Sequence, residues 1–449
     1  MTDRAIDATS PDGNRIALGA AIAAAVGTVV LGAVGIGRSF GYDEAITYHF
    51  FVNGGSVRRA LTTQVVFNNH PTFSATQAIA WRLGLVGESA QRLGPVLCAA
   101  ATVGLIVWYT SRRCGVTGGL AAGIVLALNP VYLEQARQLR GYSLATLAVV
   151  VAGMALQQSW YDQRRRWLVL QAVAMVVAVT THAYSALAFL MFAAATLGFG
   201  RLRRAHVVTW VVAAAAAFLL HLPLLDDTRA NLGGRGSFFR SDFPVRLARA
   251  LVGYEWPAVL IVGAFALAGA IALGRRSRRH LLAIAFGGGV LVAFVAVMWA
   301  VVQPRDLYFR FFISVIPLVA HLAGRGVALL PRQVAPIAAV GIAIGLAGGV
   351  GDLLDQRPTI RDGAAVVERA RANGYEVCGR HVEPMLVYTA PVRLVNGTDD
   401  FDDCEVFVSV LSVNAAQRAA ADARFDGHRD LGGSVRVWAD TDILDEVAP

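Results

Sequence analysis

Two adjacent carboxylates, Asp43 and Glu44, follow directly after the first long apolar segment of the chain. Charged side chains at the end of a segment long enough to cross a membrane are energetically costly, and they usually serve a function. One carboxylate there could accept the proton of a hydroxyl group. We therefore predict that residues 41–45, GYDEA, form the chemical centre of the protein.

A second set of ionisable residues, Glu134, Arg137 and Arg140, occupies the connection at about 130–141. Their spacing of three places them on one face if this stretch is helical. That face could hold its own carboxylate between two guanidinium groups, or it could clamp a phosphate. The side chain of a lone arginine beside a membrane more often only extends its guanidinium group to the membrane–water interface. Three aligned ionisable groups instead indicate a function.

Polar side chains also stand near the ends of other apolar segments. By itself, His182 fits an ordinary interfacial histidine, and Arg305 could simply be neutralised by Asp306. On the topology that the apolar segments predict, these side chains lie on the same side as Asp43. The additional candidates for substrate binding are Tyr42, His70, Tyr142, His182, Arg305, Tyr308 and Arg310.

The composition is that of a membrane protein. Hydrophobic residues make up 56% of the 449 residues, charged residues make up 16%, and the mean hydropathy is +0.53. An ordinary soluble domain is roughly 45–50% apolar. The formal net charge is +9, and the chain contains no lysine. Its arginines fall mainly in the turns between apolar segments, which indicates an orientation in a membrane and argues against a nucleic-acid partner.

About eleven apolar segments are close to the roughly 20 residues that cross a bilayer. The polar residues 1–14 before them predict a disordered cytoplasmic tail. The first segment is too long for the core of a signal peptide and lacks a convincing cleavage site, so we expect a transmembrane helix. The segments lie at about 16–36, 90–111, 115–130, 142–158, 167–182, 184–200, 207–225, 257–274, 281–302, 308–330 and 334–350.

The connections between these segments are of two kinds. Short turns such as 164–166 and 275–279 are almost purely basic, and the positive-inside rule places them in the cytoplasm. The longer connections are mixed in sign and also carry arginines. The alternation predicts that Asp43, the 130–141 connection and the chain after 351 lie together outside the inner (plasma) membrane.

The composition changes near Gly351, after which charged residues are dense and long apolar runs stop. Helical patterns at about 360–372 and 414–423 alternate with patterns typical of strands at about 376–382, 392–395, 405–411 and 434–439. We therefore predict a membrane domain over 15–350 and a small extracytoplasmic α/β domain over 351–449. Cys378 and Cys404 both fall in the second domain, and the sequence leaves open whether they form a disulfide.

The order of four short motifs resembles that of the GT-C superfamily of integral-membrane glycosyltransferases. GYDEA follows the first apolar segment, NNHPTF stands later in the same loop, GESAQRLGPVL opens the second segment, and ARQLRGYSL follows the third. Within the superfamily, the chain is similar to the bacterial branch related to protein mannosyltransferases and the lipid A aminoarabinose transferase. The resemblance covers roughly residues 15–330 and implies an all-α polytopic membrane domain of GT-C type.

The resemblance also implies roles for residues of the first two outer loops. Asp43 becomes the catalytic base or orients the acceptor, with Glu44 as a weaker candidate or a metal ligand. Relatives differ in metal dependence, so Mg²⁺ or Mn²⁺ bound by these two carboxylates stays open. Arg140 and Tyr142 become an R-x-Y element beside the donor phosphate. His70 corresponds to the histidine of an H-P element, in which this chain lacks the second proline of many relatives.

From the resemblance and the ionisable residues we expect a transferase that takes a sugar from a polyprenyl-phosphate donor. The acceptor would be a glycan, a glycolipid or a protein outside the membrane. A single displacement with Asp43 as base would invert the configuration at the anomeric carbon of the sugar. Arg137, Arg140 and Arg305 or Arg310 would hold the donor phosphate. The alternatives are a transporter or flippase of lipid-linked sugars, which would place charges at mid-span, and an accessory subunit that binds polysaccharide.

Overall fold

The computed structural model of the chain describes residues 11–65, 69–162, 164–227, 242–299, 308–355, 359–395, 401, 403–411, 415–432 and 435–448. Most of them form helices that pack side by side, and a small sheet follows in the C-terminal part. The first helix begins at Pro11, so residues 11–14, which were predicted to belong to a disordered tail, are helical, and residues 1–10 lie outside the described residues.

The helices before the sheet differ widely in length. The long ones cross the bundle, and the short ones connect them at its ends. In chain order they are α1 Pro11–Ala33, α2 Tyr42–Thr47, α3 Val57–Thr62, α4 Pro71–Arg82, α5 Glu88–Cys114, α6 Val116–Ala127, α7 Pro130–Ala136, α8 Tyr142–Tyr161, α9 Arg165–Thr181, α10 Ala186–Phe199, α11 Arg204–His221, α12 Phe243–Val252, α13 Trp256–Arg276, α14 Arg278–Val297, α15 Ile316–Val327 and α16 Ala335–Asp355.

Each of the eleven apolar segments overlaps one of these helices within the described residues. Eight helices of the described residues are long and apolar enough to cross a membrane, and a bent pair could count as a ninth. The helices at Arg165–Thr181 and Ala183–Phe199 are shorter. The polytopic helical architecture is therefore confirmed, and the number of eleven crossings stays a prediction.

The bent pair consists of α6 and α7, which meet at an angle of 68°. Pro130 breaks the helix because it has no amide hydrogen and disfavours helical backbone in the residue before it. Asn129 then caps α7, since its Oδ1 accepts a hydrogen bond from the amide of Tyr132 at 3.0 Å. This break turns the chain at the end of the bundle, where the predicted second loop begins.

The helices approach each other closely at small residues, as helices in membranes generally do. A Cβ atom added to Gly118 of α6 would lie 2.8 Å from the carbonyl oxygen of Gly324 in α15. On another side, Ala99 and Val103 of α5 are fully buried in the core that α5 shares with α1 and α6. These contacts hold α1, α5, α6 and α15 together in one bundle.

The C-terminal part forms a mixed five-stranded sheet with helices, as predicted for an α/β domain. The strands β1 Val377–Arg380, β2 Arg393–Leu394, β3 Val406–Ser409, β4 Gly427–Asp430 and β5 Arg436–Ala439 lie in the order β2-β1-β3-β5-β4. The helices are α17 Ile360–Ala372, α18 Ala415–Arg424 and α19 Thr441–Val447. Strand β4 was not predicted because it is a polar edge strand, GHRD, without a clear apolar pattern.

Cys378 and Cys404 form a disulfide in this sheet region, with their Cα atoms 5.9 Å apart. Cys378 lies on β1, and Cys404 precedes β3, the parallel neighbour of β1. Both residues are buried together with Phe407 and Trp438. The structure thus decides between the two possibilities that the sequence left open.

Candidate active site

Asp43 lies in the first turn of α2, the short helix that follows α1. Oδ2 of Asp43 is 3.1 Å from Nη1 of Arg310 and 3.8 Å from Nη1 of Arg140. The two arginines come from the segment before α15 and from the connection between α7 and α8. Three segments that are distant in the sequence therefore bring one carboxylate and two guanidinium groups together at one end of the bundle.

Glu44 has different surroundings, because it is buried and belongs to the framework of the site. Its carboxylate accepts two hydrogen bonds from Arg92, at 2.7 Å and 2.8 Å, and one from the amide of Leu139 at 2.7 Å. It also accepts one from the amide of Gly41 at 2.9 Å, which fixes the start of α2. These bonds join α2, α5 and the second loop, so we assign Glu44 a structural role.

The second loop does not present its three ionisable residues on one face. Helix α7 ends at Ala136, and Arg137 already has non-helical backbone at the C-terminal cap. Arg140 turns towards Asp43, whereas Nη2 of Arg137 donates to the carbonyl oxygen of Val34 at the end of α1. The condition for a shared helical face, a helix through residue 140, is therefore not met, and the structure separates Arg137 from the other guanidinium groups of the expected phosphate clamp.

A group of rings lies beside Arg140. The ring centroid of His70 is 5.2 Å from that of Tyr142 and 5.5 Å from that of His182. Nδ1 of His70 is 2.8 Å from the carbonyl oxygen of Thr181 and must carry the proton, because a carbonyl group can only accept. Its Nε2 has no hydrogen-bond partner among the described residues.

Both histidines are neutral at physiological pH. Burial lowers the pKa of His182 to about 3, and the positive charges of Arg140 and Arg310 contribute in the same direction. Burial and Arg140 also lower the pKa of His70 well below its usual value. The two rings therefore offer hydrogen-bonding atoms and flat surfaces next to the arginines, but no further positive charge.

Of the remaining candidate residues, Tyr308 and Glu134 lie near Arg310. The Arg310 guanidinium lies over the ring of Tyr308, 4.6 Å from its centroid. Glu134 is half-buried, accepts a hydrogen bond from Gln138 at 3.1 Å and interacts electrostatically with Arg310. Arg305 lies outside the described residues.

Tyr42 lies next to Asp43 in the sequence but faces another part of the protein. Its side chain packs against the apolar core of the α/β domain. The structure thus gives Tyr42 a contact between domains, whereas its place beside Asp43 in the sequence predicted substrate binding.

Three residues near the site were not predicted: Arg92, Tyr184 and Phe311. Arg92 stands in the motif GESAQRLGPVL, where a charge at the start of an apolar segment already indicates a buried partner. The rings of Tyr184 and Phe311 stack with centroids 4.5 Å apart, and Phe311 also lies 5.4 Å from His182. Aromatic residues are common at membrane interfaces, so the sequence carries no signal that singles out these two.

The donor set does not fit a resident divalent metal ion at Asp43 and Glu44. Glu44 is fully used by Arg92 and two backbone amides, and Asp43 faces two guanidinium groups, which repel a cation. Within the described part of the chain, no group of three or more His, Cys, Asp and Glu side chains could hold a metal ion. We therefore derive no step through a metal.

Comparison with solved structures shows what the chain is similar to. ArnT from Cupriavidus metallidurans in the apo state has the same fold, with 14% sequence identity, a TM-score of 0.64, and an alignment that covers 95% of this chain and 98% of that one. ArnT was also solved bound to undecaprenyl phosphate, and that structure has a TM-score of 0.62 with 14% identity, over 93% of this chain and 97% of that chain.

Two further structures share the fold. The archaeal oligosaccharyltransferase AglB from Archaeoglobus fulgidus, in complex with an inhibitory peptide and a dolichol-phosphate, has 13% identity and a TM-score of 0.53, over 87% of this chain and 69% of that chain. The arabinofuranosyltransferase AftD from Mycobacteria has 15% identity and a TM-score of 0.54, over 93% of this chain and 39% of its own.

The similarity is one of structure. No family model matches the sequence, and no curated protein is similar to it by sequence. At identities of 13–15%, the solved structures show a shared fold and nothing finer. The resemblance to the GT-C superfamily is thus confirmed at the level of the fold, and the chain is a multi-pass membrane protein.

Proposed function

We propose that the chain is a glycosyltransferase that moves a sugar from a polyprenyl-phosphate donor to a hydroxyl group of a glycan, glycolipid or protein. The observation that carries this proposal is the meeting of Asp43 with Arg140 and Arg310. A carboxylate can take the proton of the acceptor, and guanidinium groups can stabilise the phosphate that leaves the anomeric carbon. The fold shared with ArnT, which was solved with undecaprenyl phosphate, supports the same class of donor.

The ion pairs of the site suggest how donor binding prepares Asp43 for its role. Without a ligand, both guanidinium groups face the carboxylate, and a carboxylate held by opposite charges is a weak base. Arginine binds phosphate through two parallel hydrogen bonds, so the donor phosphate competes for the same groups. When Arg140 and Arg310 turn to the phosphate, Asp43 is released and its basicity rises.

The transfer then occurs in one displacement. The acceptor oxygen forms a bond to the anomeric carbon while its proton passes to Asp43. The bond from that carbon to the phosphate oxygen breaks, and polyprenyl phosphate leaves with the electron pair next to Arg140 and Arg310. Because the acceptor attacks opposite the leaving group, the configuration of the sugar is inverted.

We place the site on the extracytoplasmic side of the inner (plasma) membrane. Asp43 and Arg140 precede α8 at one end of the bundle, and the basic turn at 164–166 follows α8 at its other end. The positive-inside rule assigns that second end to the cytoplasm. A donor lipid in the outer leaflet would then present its phosphate to the arginines directly from the membrane.

Purified protein in vesicles, incubated with labelled polyprenyl-phosphate sugars and candidate acceptors, tests the proposal. A transferase releases polyprenyl phosphate and labels the acceptor. A flippase moves the intact lipid across the bilayer without release, and a polysaccharide-binding subunit does neither. Release by wild type that is lost in Asp43→Asn supports the proposal, and wild-type protein that moves the lipid without cleaving it refutes the proposal.

A further inference from the structure

The α/β domain rests on the segment that carries Asp43, through the residues around its short 3₁₀ helix Glu383–Val387. Tyr388 follows this helix and forms two hydrogen bonds with the membrane domain. Its hydroxyl oxygen accepts a bond from the amide of Phe40 at 2.9 Å, and its hydrogen is donated to Oε1 of Glu88 at 2.9 Å. One side chain therefore links the domain to the chain just before α2 and to the start of α5.

Burial raises the pKa of Tyr388 to about 12. The hydroxyl group thus stays protonated at physiological pH and can donate and accept at the same time. A phenylalanine at this position would keep the ring but lose both hydrogen bonds.

A second polar link lies beside the first. Arg361, in the first turn of α17, forms an ion pair with the same Glu88. The amide of Arg361 donates to Oγ of Ser39 at 3.1 Å. Glu88 thus receives hydrogen bonds from two separate parts of the α/β domain, and residues 39 and 40 are each held by one of them.

Apolar contacts cover the same surface. Tyr42 of α2 packs against the core of the α/β domain, as described above. In the opposite direction, Val387 and Tyr388 pack against a small cluster of the membrane domain. That cluster consists of Phe40, Ala45, Phe73 and Leu139, of which Ala45 lies in α2 and Leu139 precedes Arg140 in the second loop.

These contacts surround a short helix. Helix α2 has six residues and continues directly into a π-helical turn, Tyr48–Val52, and isolated helices shorter than about 12–15 residues are marginal in water. Its N-cap residue, Gly41, directly follows Phe40, whose amide is bound by Tyr388. The position of Asp43 relative to Arg140 and Arg310 thus depends on how firmly this end of the helix is held.

We propose that the C-terminal α/β domain is a positioning element of the active site, and that Tyr388 is its positioning residue. Through Phe40 and Glu88, Tyr388 holds the start of α2, so that Asp43 stays within reach of the two arginines and of the acceptor. Tyr388 does not touch the reacting atoms. Its effect on turnover rests on the proposed function, whereas its effect on the order of α2 does not.

The test compares Tyr388→Phe with Tyr375→Phe in the full-length protein in lipid nanodiscs. Tyr375 is a matched control, because it belongs to the same domain, packs against the same core and donates one hydrogen bond to Glu446 at 2.7 Å. Amide hydrogen exchange of peptides that cover residues 40–47 reports on α2. Single-turnover transfer from a labelled polyprenyl-phosphate sugar, with protein in excess, reports on the reaction.

We expect faster exchange over residues 40–47 in Tyr388→Phe, and a single-turnover rate constant about tenfold lower, since small misplacements of a reacting group cost this much or more. The dissociation constant for polyprenyl phosphate should change less than about twofold, because Tyr388 does not contact the donor site. Tyr375→Phe should behave as wild type. A partial loss of folded protein would leave the single-turnover rate constant unchanged, as long as the remaining folded protein is still in saturating excess over the donor.

Unchanged exchange over 40–47, or an unchanged rate constant in an active protein, overturns the inference and leaves the proposed function intact. If wild type itself releases no polyprenyl phosphate, the proposed function fails, and the exchange measurement alone decides whether Tyr388 positions α2. Should Tyr388→Phe not insert stably, Arg361→Gln removes the ion pair with Glu88 from the same surface, and the same two results are expected from it.

Discussion

Replacing Asp43 with asparagine tests the exchange of ion-pair partners on which the proposed mechanism depends. Asparagine has nearly the shape of aspartate but no charge, so Arg140 and Arg310 lose their counter-ion. We expect Asp43→Asn to lose sugar transfer and, at the same time, to bind polyprenyl phosphate more tightly than wild type. Most substitutions in a binding site weaken binding, so a gain in affinity together with a loss of turnover distinguishes the loss of a competing negative charge from a general disruption of the site.

The size of the gain follows from the ion pairs that the phosphate no longer has to displace. The closer pair, with Arg310 at 3.1 Å, has side chains that are 27% and 28% exposed, and Arg140 is 4% exposed. Ion pairs at the surface contribute up to about 1 kcal/mol, and partial burial places this pair at the upper end of that range. A free energy of about 1 kcal/mol corresponds to a roughly fivefold lower dissociation constant.

Equilibrium binding of labelled polyprenyl phosphate to protein in nanodiscs measures this change, with transfer measured on the same samples. Asp162→Asn is the matched control, because Asp162 also forms ion pairs with two arginines, Arg164 at 3.5 Å and Arg166 at 3.9 Å, at the other end of α8. We expect it to change neither binding nor transfer. Weaker lipid binding in Asp43→Asn, or undiminished transfer, would refute the exchange of partners.

Four further predictions follow from the same site. Glu44→Gln should lower the free energy of unfolding of the detergent-solubilised protein by about 3–5 kcal/mol, because it leaves the buried Arg92 without its counter-charge. A melting temperature close to that of wild type would contradict this structural role of Glu44. Arg310→Lys should lower kcat/KM by roughly ten- to hundredfold, since an ammonium group cannot bind phosphate through two parallel hydrogen bonds, and steady-state kinetics would show it. The lowered pKa of His182, about 3, means that the unfolded chain takes up a proton below about pH 6.5 that the folded protein does not, so stability falls as the pH decreases from 6.5 towards 3. At pH 5 this lowers the free energy of unfolding by about 2 kcal/mol. The melting temperature of His182→Gln should therefore change less between pH 7 and pH 5 than that of wild type. Finally, EDTA should leave the rate of sugar transfer unchanged, because the carboxylates of Asp43 and Glu44 face arginines and backbone amides. A loss of transfer with EDTA that added Mg²⁺ or Mn²⁺ reverses would contradict this expectation.

Much of the architecture could be predicted from local sequence. The lengths of the apolar segments predicted the helices, since the hydrocarbon thickness of a bilayer sets the length of a span. The change in composition near Gly351 predicted the α/β domain, and alternating patterns located four of its five strands. The edge strand β4 was missed, because a polar strand without alternation carries no such signal.

The candidate residues could be named from the sequence, but the sequence did not determine their partners. Asp43 and Glu44 are neighbours with the same chemistry, yet one meets Arg310 at the open site and the other is enclosed by Arg92. Arg137 and Arg140 are only three residues apart, yet the end of α7 at Ala136 sends them in different directions.

By itself, the sequence determined a polytopic helical membrane protein with a charged centre near residue 43 and a small domain behind it. Hydropathy and helix breaks act over a few residues, so they can be read locally. The tertiary structure alone decided which carboxylate faces the two arginines of the site and that Tyr388, 348 residues from Phe40, accepts a hydrogen bond from the amide just before α2. The physical reason is that a side chain's role depends on the charges and hydrogen-bond donors around it, and packing brings these together from distant segments.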